Sequence, residues 1–203
     1  MSGVIPDAVA RVADEMSGFG HPWALCGGWA IDAWLARVTR DHADADVSIL
    51  EEHQREVLDY LHDWRLVGHD PDEGHDEAWD GHWLSGPGHI HAKAADGFDL
   101  EVLLAETSGD EWVLHRTPKV SVPLDECARR SPWGLPTVVP EVLLFFKATA
   151  YLGEEQYDER ETTDKQDFLA LAPLLTPGPR SWLHTSVARV WEGDHPWLAE
   201  IEA

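Results

Sequence analysis

The stretch Leu25–Ile49 reads LCGGWAIDAWLARVTRDHADADVSI. Ala24-Leu25-Cys26 has the apolar character of a buried strand end, and Gly27-Gly28 permits a tight turn with close backbone approach. Trp29 to Val38 follows as a helix. A helix N-terminus behind a glycine turn offers free N–H groups and a positive dipole end to phosphate oxygens. Asp44 and Asp46 then open an apolar run and stand two apart, so on a strand their carboxylates share one face. Two like charges held together disfavour each other's ionised form, and a divalent metal is the simplest ion to set between them. Either half of the pattern is common on its own. In this order, phosphate cradle and then carboxylate pair, they point to a magnesium-bound nucleoside triphosphate.

Working outward, Pro6 to Met16 predicts an amphipathic helix, with Val9, Val12 and Met16 at helical spacing. Val47 to Leu50 continues the strand opened by the aspartates. Glu51 to Trp64 predicts a helix, and Leu66-Val67 a short strand. Asp70 to Asp80 is rich in Asp, Glu, Gly and His and reads as a loop. Strands are expected around His82–Leu84, His89–Ala94 and Phe98–Leu104, the last two joined by a turn with an Asp-Gly signal at Asp96-Gly97. Val120 to Leu124, marked by Pro118 and Pro123, reads as an edge strand.

Ser131 to Pro140 holds three prolines and marks a change of pattern. Pro140 and Glu141 suit a helix start continuing through Val142 to Leu152. Thr163-Asp164-Lys165-Gln166 fits a capping box for a helix through Leu171, and Pro179 to Trp191 predicts a last helix. The expected class is α+β: a small mixed β-sheet flanked by helices over residues 1–130, then a helical C-terminal part over 131–203.

Composition narrows the function. The 203 residues include 38 acidic and 15 basic side chains, for a formal net charge of -23. So negative a surface repels nucleic acid, which argues against a polymerase-like role. It would suit a cationic acceptor, although solubility explains it as simply. The two cysteines, Cys26 and Cys127, do not make a disulfide framework, and Cys26 reads as a reduced buried thiol. No basic-then-apolar leader is visible. The most apolar stretch, Val138 to Phe146, is too short to span a bilayer. The expectation is a cytoplasmic protein, monomer or homodimer, with neither membrane nor nucleic-acid partner.

The Leu25–Ile49 block resembles the nucleotidyltransferase superfamily, most nearly the aminoglycoside 2″-nucleotidyltransferase and lincosamide nucleotidyltransferase group. The residues that carry the likeness are Gly27 to Asp32, then Arg37, Val38, Thr39, Arg40 and His42, then Asp44 and Asp46. It implies a magnesium-dependent enzyme, with two ions and ATP or another nucleoside triphosphate as co-substrate. Such an enzyme moves a nucleoside monophosphate, AMP above all, onto a hydroxyl of a small molecule such as an aminoglycoside- or lincosamide-like antibiotic. Two alternatives stay open: AMP transfer onto a protein, as in toxin–antitoxin pairs, and a non-catalytic nucleotide-binding protein. Ser48 stands where an apolar residue is usual in the resembling enzymes, and the acidic 70–80 loop is a further departure. Both bear on the acceptor side.

A third carboxylate is expected from a neighbouring strand. Asp99 and Glu101 share a face while Phe98, Leu100 and Val102 share the other. By pattern this is a strand with one wet face, but the resemblance implies an Asp-x-Glu at this place in the site. Asp44, Asp46 and Asp99 are then the metal ligands, with Asp99 or Glu101 as the base that takes the acceptor's proton. Gly27, Gly28 and Arg40 are expected at the phosphates. So are Lys147, on the first C-terminal helix, and Lys165, a cation in a helix first turn where it is misplaced unless an anion is near. Asp32 is expected to hydrogen-bond within the turn–helix unit, and Arg37 to be a helix-end charge. His69, His75, His82, His89 and His91 lie close together in sequence, and the last two share a strand face. Without HExxH or a cysteine cluster they read as solvated rather than as structural zinc ligands. Most of the eleven tryptophans read as core filler, with Trp79 or Trp83 as candidates for an acceptor pocket.

Overall fold

A computed structural model describes residues 4–70, 75–85, 88–117, 119–149, 158–191 and 195–202. Helix α1 (Asp7–Met16) buries Val9, Val12 and Met16 on one face, as their spacing requires. Strand β1 (Trp23–Cys26) leads without a loop into α2 (Gly27–Leu35). The chain then returns as β2 (Ala45–Leu50), antiparallel to β1, with Cys26 opposite Asp46. Strands β3 (Arg65–Asp70), β4 (His75–Ala78), β5 (His89–Lys93) and β6 (Asp99–Ala105) follow. A small antiparallel sheet comes next, made of β7 (Thr107–Ser108), β8 (Glu111–Arg116) and β9 (Lys119–Pro123). The hairpin β10 (Ala128–Arg130) and β11 (Pro136–Val138) returns to the main sheet, β11 pairing parallel to β1. The main sheet has eight strands in the order β10-β11-β1-β2-β6-β5-β3-β4. Its centre is the parallel β2–β6 pair, which sets Asp46 directly beside Glu101.

The helical part consists of α4 (Pro140–Thr149), α5 (Asp158–Leu171), α6 (Pro177–Val190) and α7 (Leu198–Glu202). In α4, Val142, Leu143, Leu144, Phe145 and Ala148 are all buried. It is the central helix, packing against α2, α5 and α6. The change of pattern expected after residue 130 falls inside the β10–β11 hairpin: β10 ends just before the proline-rich stretch and β11 lies within it. Among the described residues no helix is long and apolar enough to cross a membrane.

Several local expectations need correction. Helix α2 starts at Gly27, so the glycine pair forms its first turn and does not precede it. It stops at Leu35, short of Val38, with Ala36 left-handed at φ 54°. The cause is Asp32, whose carboxylate accepts from the Thr39 amide (3.0 Å) and hydroxyl and so pulls the chain out of helical course. The helix expected over Glu51–Trp64 is a single 3-10 turn followed by the short α3 (Gln54–Tyr60). His82–Leu84 is not a strand: the buried Gln54 side chain bonds both the Leu84 amide (2.7 Å) and carbonyl (3.1 Å), standing in for a strand partner. The acidic 70–80 segment contributes β4, antiparallel to β3, while residues 71–74 lie outside the described residues. Residues 150–152, expected to end α4, lie outside them too. Helix α5 begins at Asp158, so Thr163 is not its cap and Lys165 sits in its middle.

Candidate active site

A cavity of about 850 Å³ opens between the main sheet, the small sheet and α4, a size typical of small-molecule sites. Gly27, Asp46, Ser48 and Glu101 line its floor, and Lys147 and Asp164 one side. Leu103, Trp112, Val138, Leu143 and Phe146 make an apolar wall, with the Trp112 and Phe146 rings 5.6 Å apart.

Asp46 is the electrostatic centre. Burial, then the neighbouring Glu101 and Asp44 charges, push its carboxyl from the ordinary 3.8 up to about 7, against a weaker pull from Lys147. It also shares a side-chain hydrogen bond with Glu101. Burial and the two neighbouring charges thus favour the protonated form of Asp46. Below this pair the Cys26 thiol is pushed up by burial and by the Asp46 and Glu101 carboxylates; it is a reduced buried thiol, as expected.

The glycine turn is shaped around this acid pair. Gly27 has φ +61°, and a Cβ there would lie 1.8 Å from Asp46 Oδ2. A Cβ on Gly28 would meet His42 Nδ1 at 2.4 Å and an Arg40 guanidinium nitrogen at 2.8 Å. Only glycine lets the α2 N-terminus come this close to the carboxylate and the Arg40–His42 loop. Asp32, fully buried, anchors that loop through Thr39 and through His42 Nε2 at 2.7 Å, and the His42 ring lies against Trp29. Asp32 thus acts within the turn–helix unit.

The cations divide. Lys147 is mostly buried and bridges Asp164 (2.6 Å) and Asp167 (2.8 Å). Its burial alone would lower its pKa, but the Asp167 and Asp164 charges outweigh that and raise it. Arg40 donates to the same Asp167 at 3.2 Å, so both cations meet one oxygen, Oδ2, of a buried carboxylate. Lys165 is half exposed and pairs with Glu200 at 3.7 Å, away from this group.

The expected carboxylates do not all converge. Asp44 is exposed at the head of β2 and acts on Asp46 by its charge. Glu101 faces Asp46 in the cavity. Asp99 lies at the exposed start of β6, paired with Lys93 at 2.7 Å, and does not line the cavity. Trp79 is buried with its indole N–H on the His82 carbonyl, and Trp83 is exposed; neither lines the cavity. The tryptophan that does is Trp112, on the β8 strand that the sequence pattern leaves unassigned.

The fold and the N-terminal sequence both have counterparts among known proteins. Residues 8–75 match the family model of aminoglycoside-2''-adenylyltransferases. The fold is similar to lincosamide antibiotic adenylyltransferase LnuA in its lincomycin-bound structure, at 18% identity and TM-score 0.56, covering 85% of this chain and 99% of that one. It is similar to ANT(2'')-Ia in complex with adenylyl-2''-tobramycin, at 16% identity and TM-score 0.59, covering 89% and 95%. An antigenic nucleotidyltransferase-like protein from Paracoccidioides brasiliensis gives 16% identity and TM-score 0.52, over 96% and 90%. No curated relative matches the chain. The fold is that of the nucleotidyltransferases. The likeness to these proteins is one of fold over most of the chain, and the family-model match is confined to residues 8–75, which contain the Gly27–Asp46 block.

Proposed function

We propose that the protein transfers AMP from ATP to a hydroxyl of a small amphiphilic molecule, an aminoglycoside- or lincosamide-like antibiotic. The observation that carries this is the Asp46–Glu101 acid pair on the cavity floor, directly under the N-terminus of α2. Its donor set fits magnesium: hard carboxylate oxygens, with the Asp46 carboxyl pushed up to about 7 by burial and by the neighbouring Glu101 and Asp44 charges, which a divalent cation would offset. Asp44, Asp46 and Glu101 would hold the ion. Bound there, magnesium supplies charge neutralisation of the triphosphate and of the oxygens at the reacting phosphorus.

The chain's own residues do the rest. The Gly27 and Gly28 amides at the head of α2 meet phosphate oxygens. Lys147 and Arg40, now neutralised by Asp167 and Asp164, turn towards the triphosphate as it enters. Glu101 takes the proton from the acceptor hydroxyl, whose oxygen bonds to the α-phosphorus as the bond to pyrophosphate breaks. Most of the rate enhancement then comes from positioning and charge stabilisation. Leu103, Trp112 and Phe146 give the acceptor an apolar seat above an acidic floor, which favours a molecule with both an apolar face and a positive charge.

A pyrophosphate-release assay with ATP, GTP, CTP and UTP across aminoglycosides and lincosamides tests this reading. Magnesium-dependent release with ATP and at least one acceptor, lost in Asp46→Asn, is expected. Labelled AMP appearing on protein and on no small molecule would contradict it, as would no release with any pair.

A further inference from the structure

The open side of the floor holds a second set of ligand atoms. In register, β5 sets His91 opposite Glu101, and His89 opposite His69 on β3. Directly opposed residues share a sheet face, so His89, His91 and Glu101 project together. Their atoms converge: His89 Nε2 lies 3.1 Å from His91 Nε2 and 3.6 Å from Glu101 Oε1. Four ligands on a tetrahedral ion with bonds of about 2.0–2.1 Å stand about 3.4 Å from one another. The observed separations bracket that figure. The His69 ring stacks on His89 at 4.6 Å and fixes its plane. His91 is exposed, so an ion has a way in and a fourth position stays open to water.

We propose that His89, His91 and Glu101 bind a zinc-type divalent ion, at a site separate in chemistry from the all-oxygen magnesium site but sharing Glu101 with it. Two imidazoles and one carboxylate suit zinc or cobalt, which take nitrogen readily, and not magnesium, which prefers oxygen. An ion on Glu101 Oε1 draws that carboxylate towards His89 and His91 and competes with Asp46 and a magnesium ion for it. Occupation therefore weakens the acid pair, and micromolar zinc is expected to inhibit magnesium-dependent turnover. That consequence rests on the proposed function; the ion site does not.

One other cluster of this kind, His21, His53 and Glu56, occurs among the described residues. Its imidazoles stack face to face at 3.9 Å and its nearest nitrogen–carboxylate approach is 3.9 Å, so its ligand atoms converge less well. The two clusters are distinguished by titrating cobalt into tag-free, nucleotide-free protein and following the visible absorption of the bound ion, with zinc as competitor. One cobalt per chain is expected, displaced by zinc. His91→Ala or His91→Gln, at an exposed position where folding can be checked by circular dichroism, should weaken binding roughly tenfold or more, since even loss of a residue behind a ligand costs that much. His53→Ala should bind as the wild type does. Wild-type affinity in both His91 variants, loss in His53→Ala, or no cobalt spectrum at all would overturn the proposal. Each of these readouts stands whether or not the protein turns over ATP.

Discussion

Asp46 makes the free protein pH-sensitive. Its carboxyl holds a proton up to about pH 7 when folded, against 3.8 ordinarily. Between those values the folded state binds more protons than the unfolded one, so stability falls as pH rises through the window. Thermal unfolding of metal-free protein from pH 5 to 8 should show the decline, and magnesium with ATP should reverse it at the upper end. Asp46→Asn should flatten the profile and raise the melting temperature at pH 8 by roughly 2–4 °C for each kcal/mol of relieved repulsion. Gly27→Ala should act in the opposite sense. The left-handed backbone alone costs about 1–2 kcal/mol, and the Cβ would also displace Asp46. Lower stability together with lost activity is the expected outcome, read by denaturant unfolding and by turnover. At this scale the sequence was partly legible. Asp44 and Asp46 are marked by their spacing and the glycine turn before them. The choice between Asp99 and Glu101 is not marked, because both lie on one face and only the β2–β6 register decides which stands beside Asp46.

Lys147 and Lys165 separate cleanly by the elements that hold them. Lys147 leaves the buried helix α4 and neutralises Asp164 and Asp167 on α5. Lys147→Met would leave Asp167, itself 2% exposed, with Arg40 alone. Breaking a buried pair by removing one partner costs about 3–5 kcal/mol. Lys165→Ala removes a half-exposed charge and should change stability by no more than about 0.5 kcal/mol. Urea unfolding of the two variants side by side checks both figures. The sequence shows Lys147 because a charge inside Val142–Ala148 must find partners. It misleads on Lys165, because Thr163-Asp164-Lys165-Gln166 has the form of a helix start while the helix already runs from Asp158. Of the small sheet, β9 is legible as the strand expected over Val120–Leu124, whereas β8 is hidden. Strand β8 shifts register between Val113 and His115, and a bulge breaks the alternation by which a strand is recognised.

The whole molecule carries 23 more acidic than basic charges at neutral pH. Exposed pairs such as Lys93–Asp99 and Lys119–Glu111 contribute little each. Repulsion among the surplus carboxylates therefore outweighs what salt removes from the pairs. The melting temperature should rise between 10 mM and 0.5 M sodium chloride; a fall would mean that the surface pairs dominate. The α+β class and its sheet-then-helices order are visible in the sequence because glycine, proline and apolar periodicity mark the boundaries. The cavity is not, since its wall is assembled from β6, β8 and α4, which come together only in the folded chain.

The most direct test concerns which carboxylates meet on the cavity floor. Glu101→Gln and Asp99→Asn, compared in magnesium-dependent pyrophosphate release with a productive acceptor, isolate it. Loss of a base or cation-holding carboxylate should lower kcat about 10²-fold or more, so Glu101→Gln should be nearly inactive while Asp99→Asn stays within a few fold of wild type. Full activity in Glu101→Gln together with an inactive Asp99→Asn would contradict the Asp46–Glu101 pair as the heart of the site.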